Sequence, residues 1–184
     1  MKIFLVLMLA VGAAKKKAPP PPPPPLTEPS AKVTEAVGEK TAAMLQASSK
    51  VMLYRVHGQP GVRPNPSLAV GVDFERQGEG RELSDEEMKK LKGLLYDAKS
   101  FKLEKPPACG DFKPDVAFLG TSEDDTGALE MLVSFKCSGV MFFTAKTAGR
   151  SLPGAQLDFK PARKPLLAMV KELLAGEPAV QALK

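Results

Sequence analysis

Tryptophan is absent from this chain, histidine occurs once, and tyrosine and cysteine occur twice each. Each shortage closes off a class of function. Without indole rings, no carbohydrate site can be built on stacked tryptophans. His57 is the sole imidazole, so a hydrolytic triad has one candidate base, and no G-x-S-x-G accompanies it. Two cysteines are too few for a disulfide-dense miniprotein, and Cys109 and Cys137 do not form a C-x-x-C or a clustered zinc-ligand pattern. A strong excess of one sign of charge is also lacking. Lys plus Arg number 26 against 21 Asp plus Glu. Residues 31–184 carry 22 basic and 20 acidic side chains, so the pI of about 9.2 does not describe a basic nucleic-acid face on the folded part. The longest apolar run, residues 3–14, reaches only about 18 Å as a helix, short of the roughly 30 Å needed to span a bilayer.

That run is informative for another reason. Lys2 precedes it and Gly12, Ala13 and Ala14 close it, which is the outline of a secretory signal, with Val11 and Ala13 suited to the two pockets of a signal peptidase and cleavage expected at Ala13 or Ala14. Lys15, Lys16 and Lys17 directly after it oppose translocation, since positive charge there competes with Lys2 over orientation. The small residues before position 14 resemble a lipoprotein signal, but no cysteine precedes Cys109, so there is no atom to carry the lipid. Residues 19–25 are seven consecutive prolines. Such a tract can join neither helix nor sheet and reads as an extended rod of about 22 Å, a stiff spacer. The division expected is a signal peptide over 1–14, a basic and proline-rich spacer over 15–30, a single domain over 31–176 and a tail over 177–184. Localisation is then periplasmic or secreted, with no transmembrane span after processing.

Within 31–176 the expected order is α-β-β-α-β-β-β-α. Ser30 is placed to cap one helix running to about Ala47 with Val33, Val37, Met44 and Leu45 on its apolar side. Residues 51–57 read as a strand, and residues 68–75 alternate apolar and polar as a second. Gly78 and Gly80 flank Glu79 without a Lys and Ser or Thr to complete a phosphate loop, and read as a hairpin turn. Ser84, Asp85, Glu86 and Glu87 form a capping box before Met88, Leu91, Leu94 and Leu95, which predicts a helix to about Asp97. Residues 115–120 and 129–137 predict a hairpin centred near Asp124. Ser138 and Gly139 turn into a third strand over 140–145. A last helix spans about 162–175, with Pro165 in its first turn. The fold class expected is α+β: a two-layer domain with a mainly antiparallel sheet of about five strands and helices on one face.

In an exported chain, two cysteines predict one bridge, Cys109 to Cys137. The hairpin register brings Cys109 opposite residues close to Ser138. Closing a loop of about 29 residues would stabilise by roughly 3 to 4 kcal/mol in the chain-entropy picture. The segment Cys109, Gly110, Asp111, Phe112, Lys113, Pro114, together with Ser134, Phe135, Lys136, Cys137, resembles a pattern in an uncharacterised family of bacterial secreted proteins and lipoproteins. There a cysteine, an aromatic and a proline precede one strand and Phe-x-Cys ends the next. In this chain Ser134 stands where a further cysteine often occurs. The family has no established activity, so the resemblance implies envelope location and this kind of fold, and no chemistry.

No catalytic, cofactor-binding or metal-ligating set is expected. The acidic stretch Ser122, Glu123, Asp124, Asp125, Thr126 lacks the D-x-D-x-D-G register of a calcium loop and reads as a solvated hairpin tip. Met141, Phe142 and Phe143 are adjacent on one strand, so either both sheet faces are covered there or an apolar patch is open to a partner. Two functions remain. One is an exported, non-catalytic binding or scaffold module for a protein or cell-envelope component. The other is a small secreted hydrolase using carboxylates or His57, or an inhibitor of an extracellular enzyme.

Overall fold

Ser84 Oγ accepts the Glu87 N–H at 3.4 Å while the Glu87 carboxylate accepts the Ser84 N–H at 2.8 Å, so α3 (Asp85–Tyr96) begins where the capping signature places it. Arg81 adds a two-pronged pair to the same carboxylate, at 2.8 and 2.9 Å. The Arg81 guanidinium is the main reason the Glu87 carboxyl is held down at about 2, with the Ser84 amide next. Leu91 and Leu95 point inward and are buried, as the stripe requires.

The computed structural model describes residues 26–58, 69–70, 74–105, 107, 110, 112–123, 128–146 and 150–184. The chain is α+β, with one antiparallel sheet. Its strands are β1 (Ser48–Gly58), β2 (Ala69–Val70), β3 (Phe74–Glu82), β4 (Val116–Ser122), β5 (Ala128–Ser134), β6 (Gly139–Lys146) and β7 (Arg150–Asp158). They lie in the order β2-β3-β1-β4-β5-β6-β7. The other helices are α1 (Ala31–Val37), α2 (Glu39–Ala47), α4 (Arg163–Leu173) and α5 (Pro178–Gln181), with short 3-10 turns at Ala98–Ser100 and Lys160–Ala162. No helix among the described residues is long and apolar enough to cross a membrane.

Several expectations change. The single first helix is two, because Gly38 at φ 85° breaks it; Ser30 stands at the N-cap but its hydroxyl caps nothing and has no hydrogen-bond partner. Gly78 and Gly80 do not turn a hairpin. They lie inside β3, where the register against β1 slips between Leu53 and Arg55 and Gly78 adopts φ 69°, a bulge rather than a reversal. The strand expected over 68–75 is accordingly divided into β2 and the start of β3, with residues 71–73 outside the described set. The strand count of about five becomes seven, one added by this division and one by β7. Pro153 and Gly154 mask its strand character in the sequence, yet β7 ends the sheet order, and proline is tolerated in an edge strand, where a ladder bond is dispensable. The stretch expected as a tail forms α5, which buries Val180 and returns to α4 through Gln181 Nε2, bonded to the Lys171 and Leu174 carbonyls at 2.9 and 3.1 Å.

The β4–β5 hairpin pairs Val116 with Val133 and Thr121 with Ala128, within one residue of the expected centre. β5 stops at Ser134, however, so Cys137 lies in the following turn and not in the strand. Asp115 is the cause: its carboxylate takes the Phe135 N–H at 2.7 Å and removes it from the ladder, and Ser138 at φ 55° completes the reversal.

Sheet alternation separates two apolar clusters. The larger one joins Leu53, Val116, Phe118, Met131, Val133, Phe135, Val140 and Phe142 to Val33, Leu45, Leu91, Val170 and Val180 of the helices. The smaller one, on the opposite face, contains Val56, Phe74, Ala117, Leu132 and Phe143, with Phe112, Leu119 and Met141 packed against it and no described helix residue.

Candidate functional site

A groove of about 840 Å³ runs between α1 and the segment following α3. Its walls follow from local structure. On α1, Val33 and Val37 turn inward to the core, which leaves Lys32, Glu35 and Ala36 toward the groove. On the other side, the Asp97 carboxylate accepts the Lys99 N–H at 2.9 Å and starts the 3-10 turn, Phe101 drops into the core, and Lys102 is clamped to β7 by its N–H to the Asp158 carbonyl at 2.7 Å. The chain is thereby held so that Lys99, Lys102 and Lys105 stand exposed around a floor of Ala98, Phe101 and Leu103. Glu35 and Glu104 are also exposed there. Among the described residues none of these four lysines or two glutamates forms an ion pair, so the groove carries a local excess of two positive charges with no partner in the fold.

A second, smaller pocket of about 230 Å³ lies where α5 meets the end of β1, and it gathers Arg55, His57, Gln77, Asp115 and Val180. Its polar groups are engaged. Arg55 donates to Gln77 Oε1 from Nε at 2.7 Å and again from Nη2, and its Nη1 reaches Glu177 Oε2 at 3.2 Å. His57 Nε2 lies 3.8 Å from Glu75 Oε2, with the imidazole half exposed. Burial pushes the Asp115 carboxyl up from the usual aspartate range, opposed by the Phe135 and Lys136 amides and by the charge on Arg163. Arg163 itself donates from Nε to the Phe135 carbonyl at 2.9 Å, so Asp115 and Arg163 hold the 135–138 turn from two sides. Among the described residues no Ser, Thr or Cys lines this pocket, so none of them offers His57 a hydroxyl or thiol there to activate.

The residues singled out from the sequence are dispersed. Phe142 belongs to the helix-side core, Phe143 to the opposite cluster, and Met141 is half-buried against that second cluster. They therefore fill both faces of β6 and offer no open apolar patch, because strand alternation sends neighbours to opposite sides and both are covered. Cys137 is half-buried in the turn after β5. Cys109, Ala13, Ala14, the proline run and residues 124–126 of the acidic stretch lie outside the described residues; Ser122 ends β4 and Glu123 is exposed. No group of three or more His, Cys, Asp or Glu fit to hold a metal occurs among the described residues. Sequence reasoning passed over the groove lysines. Their only signal is the three-residue spacing of Lys99, Lys102 and Lys105, which on its face describes any solvated helix. Asp115 and Arg163 were equally silent, since a turn bond across 20 residues has no local pattern.

Compared with protein-family models, curated proteins and solved structures, the chain matches none of them.

Proposed function

We propose that this chain is an exported, non-catalytic binding module of the periplasm or extracellular space, built as a two-layer α+β domain set off from its leader by the basic and proline-rich segment over residues 15–30. The observation that carries the reading is the groove of Lys32, Lys99, Lys102 and Lys105, whose charges answer to nothing within the described fold. Charge that stabilises a fold is paired or dispersed; charge collected around an apolar floor is available to a ligand. A bridge between Cys109 and Cys137 belongs to the same reading, since the chain has only these two cysteines. The test is the intact mass of the protein recovered from its host, before and after alkylation in denaturant. The expected result is a chain starting at Ala14 or Lys15 with no alkylated cysteine. A full-length chain with two alkylated thiols would overturn export.

A second reading, a small hydrolase, is favoured by one observation: His57, the sole imidazole, and Asp115 line the same pocket. In that case His57→Asn and Asp115→Asn each abolish hydrolysis of a susceptible ester or glycoside. Retention of turnover in both variants removes it.

A further inference from the structure

We infer that the groove between α1 and the 99–105 segment takes an acidic peptide segment of a partner protein, one that carries carboxylates on either side of an apolar side chain. The inference rests on the binding-module reading and specifies its ligand. Three features of the groove select this chemistry. The first is charge: Lys32, Lys99, Lys102 and Lys105 have no ion-pair partner among the described residues. Carboxylates placed between them gain attraction without breaking an existing pair. The second is the floor. Ala36, Ala98 and Leu103 are half-buried, packed against the main core, and so present apolar surface that a purely ionic ligand leaves wet. The third is the pair Glu35 and Glu104, exposed among the lysines. They repel a uniform polyanion such as a sulfated glycan or an anionic bilayer, whereas a peptide can place its carboxylates by the lysines and its own neutral or basic groups by the glutamates.

The segment's attachment supports a preformed site. Lys99 is held through its backbone amide by Asp97 and Lys102 through its own by Asp158, so both ammonium groups stay free while the chain beneath them is fixed. Little backbone ordering remains to oppose binding, and the cost left is that of the lysine side chains.

The experiment is fluorescence anisotropy with the full chain and a labelled peptide of alternating Glu, Asp and Leu. A peptide of the same charge with Ser for Leu, heparin, and vesicles of anionic phospholipid serve as comparison probes. Expected are saturable binding of the Leu peptide that weakens with added salt, a loss of about tenfold in affinity in the double variant Lys99→Glu with Lys102→Glu, and no such loss in Lys89→Glu with Lys164→Glu, which changes net charge equally on α3 and α4. Lys99→Arg with Lys102→Arg should bind as the parent does. Equal loss in both reversed pairs would overturn the inference by showing that bulk charge alone attracts the peptide. Heparin or vesicles bound in a manner sensitive to Lys99 and Lys102, with the Leu peptide unbound, would overturn the peptide assignment and leave the binding module standing. No probe bound by a correctly folded chain would overturn both the peptide assignment and the use of this groove, while the mass measurement decides export separately.

Discussion

The groove beside α1 and the pocket beneath α5 differ in how their polar groups are spent. In the pocket, Arg55 is shared between Gln77 and Glu177, and Asp115 is committed to the 135–138 turn. In the groove, four ammonium groups face solvent without partners among the described residues. In the more active-looking set, with a histidine, an arginine and a perturbed carboxyl, the arginine and the carboxyl are thus already engaged by the fold. A shifted acidity arises wherever a charge is buried to hold a fold together, and it marks a functional site only when the group is also left free to act.

That contrast can be broken most forcefully at the turn Asp115 supports. Phe135 is almost fully buried and packs edge to face on Phe159, with ring centres 5.8 Å apart. Phe135→Ala should destabilise by about 3 to 5 kcal/mol in chemical denaturation, the usual cost of emptying such a site. A loss below about 1 kcal/mol would mean that the turn is not tied to the core. Next comes Asp115→Ala, which strands the Phe135 amide; a loss of about 2 kcal/mol is expected, and Asp115→Asn, which keeps an acceptor oxygen, should lose less. Equal losses in the two variants would show that the charge, and not the hydrogen bond, supports the turn.

A paired charge outside both regions sharpens the comparison by its pH dependence. The Glu87 carboxyl is lowered from 4.5 to about 2 by Arg81 and the Ser84 amide, so the folded state holds its proton less readily than the unfolded one. The stabilisation is complete above about pH 4.5 and disappears as pH falls toward 2. Asp115 works in the opposite sense. With its carboxyl raised by burial, it favours the fold in acid and that advantage fades as pH rises through its folded titration. The gap in denaturation midpoint between the parent and Glu87→Gln should therefore narrow on acidification, and a gap that stays constant from pH 7 to 2 would contradict the assignment. The smallest effect belongs to the groove. Lys99→Glu with Lys102→Glu should change stability by no more than about 0.5 kcal/mol, because exposed lysines without partners contribute little to a fold, even as the same change costs ligand affinity. A large destabilisation would place these lysines with the structural set.

Much of the frame was legible in the chain itself where a signal is local. The capping box at Ser84, the β4–β5 register, Pro165 early in α4 and the apolar stripe of α3 each depend on residues within a turn or a hairpin of one another. Glycine was less legible: Gly38 splits a helix that reads as continuous, and Gly78 bulges a strand where a hairpin turn reads, because freedom to take positive φ does not say how it will be used. β7 was hidden because Pro153 forbids a central strand, and only the sheet order makes it an edge.

The amino-acid order by itself determined the start of α3, the antiparallel β4–β5 pairing and the scarcity of histidine and cysteine, since propensity, alternation and composition act over a few neighbouring residues. Tertiary structure alone decided that Phe142 and Phe143 are covered on opposite faces, that Asp115 reaches across to a turn 20 residues on, and that Lys32 joins Lys99, Lys102 and Lys105 around one groove. Pairing and burial are relations between distant parts of a chain, and they come into being only when the sheet brings those parts together.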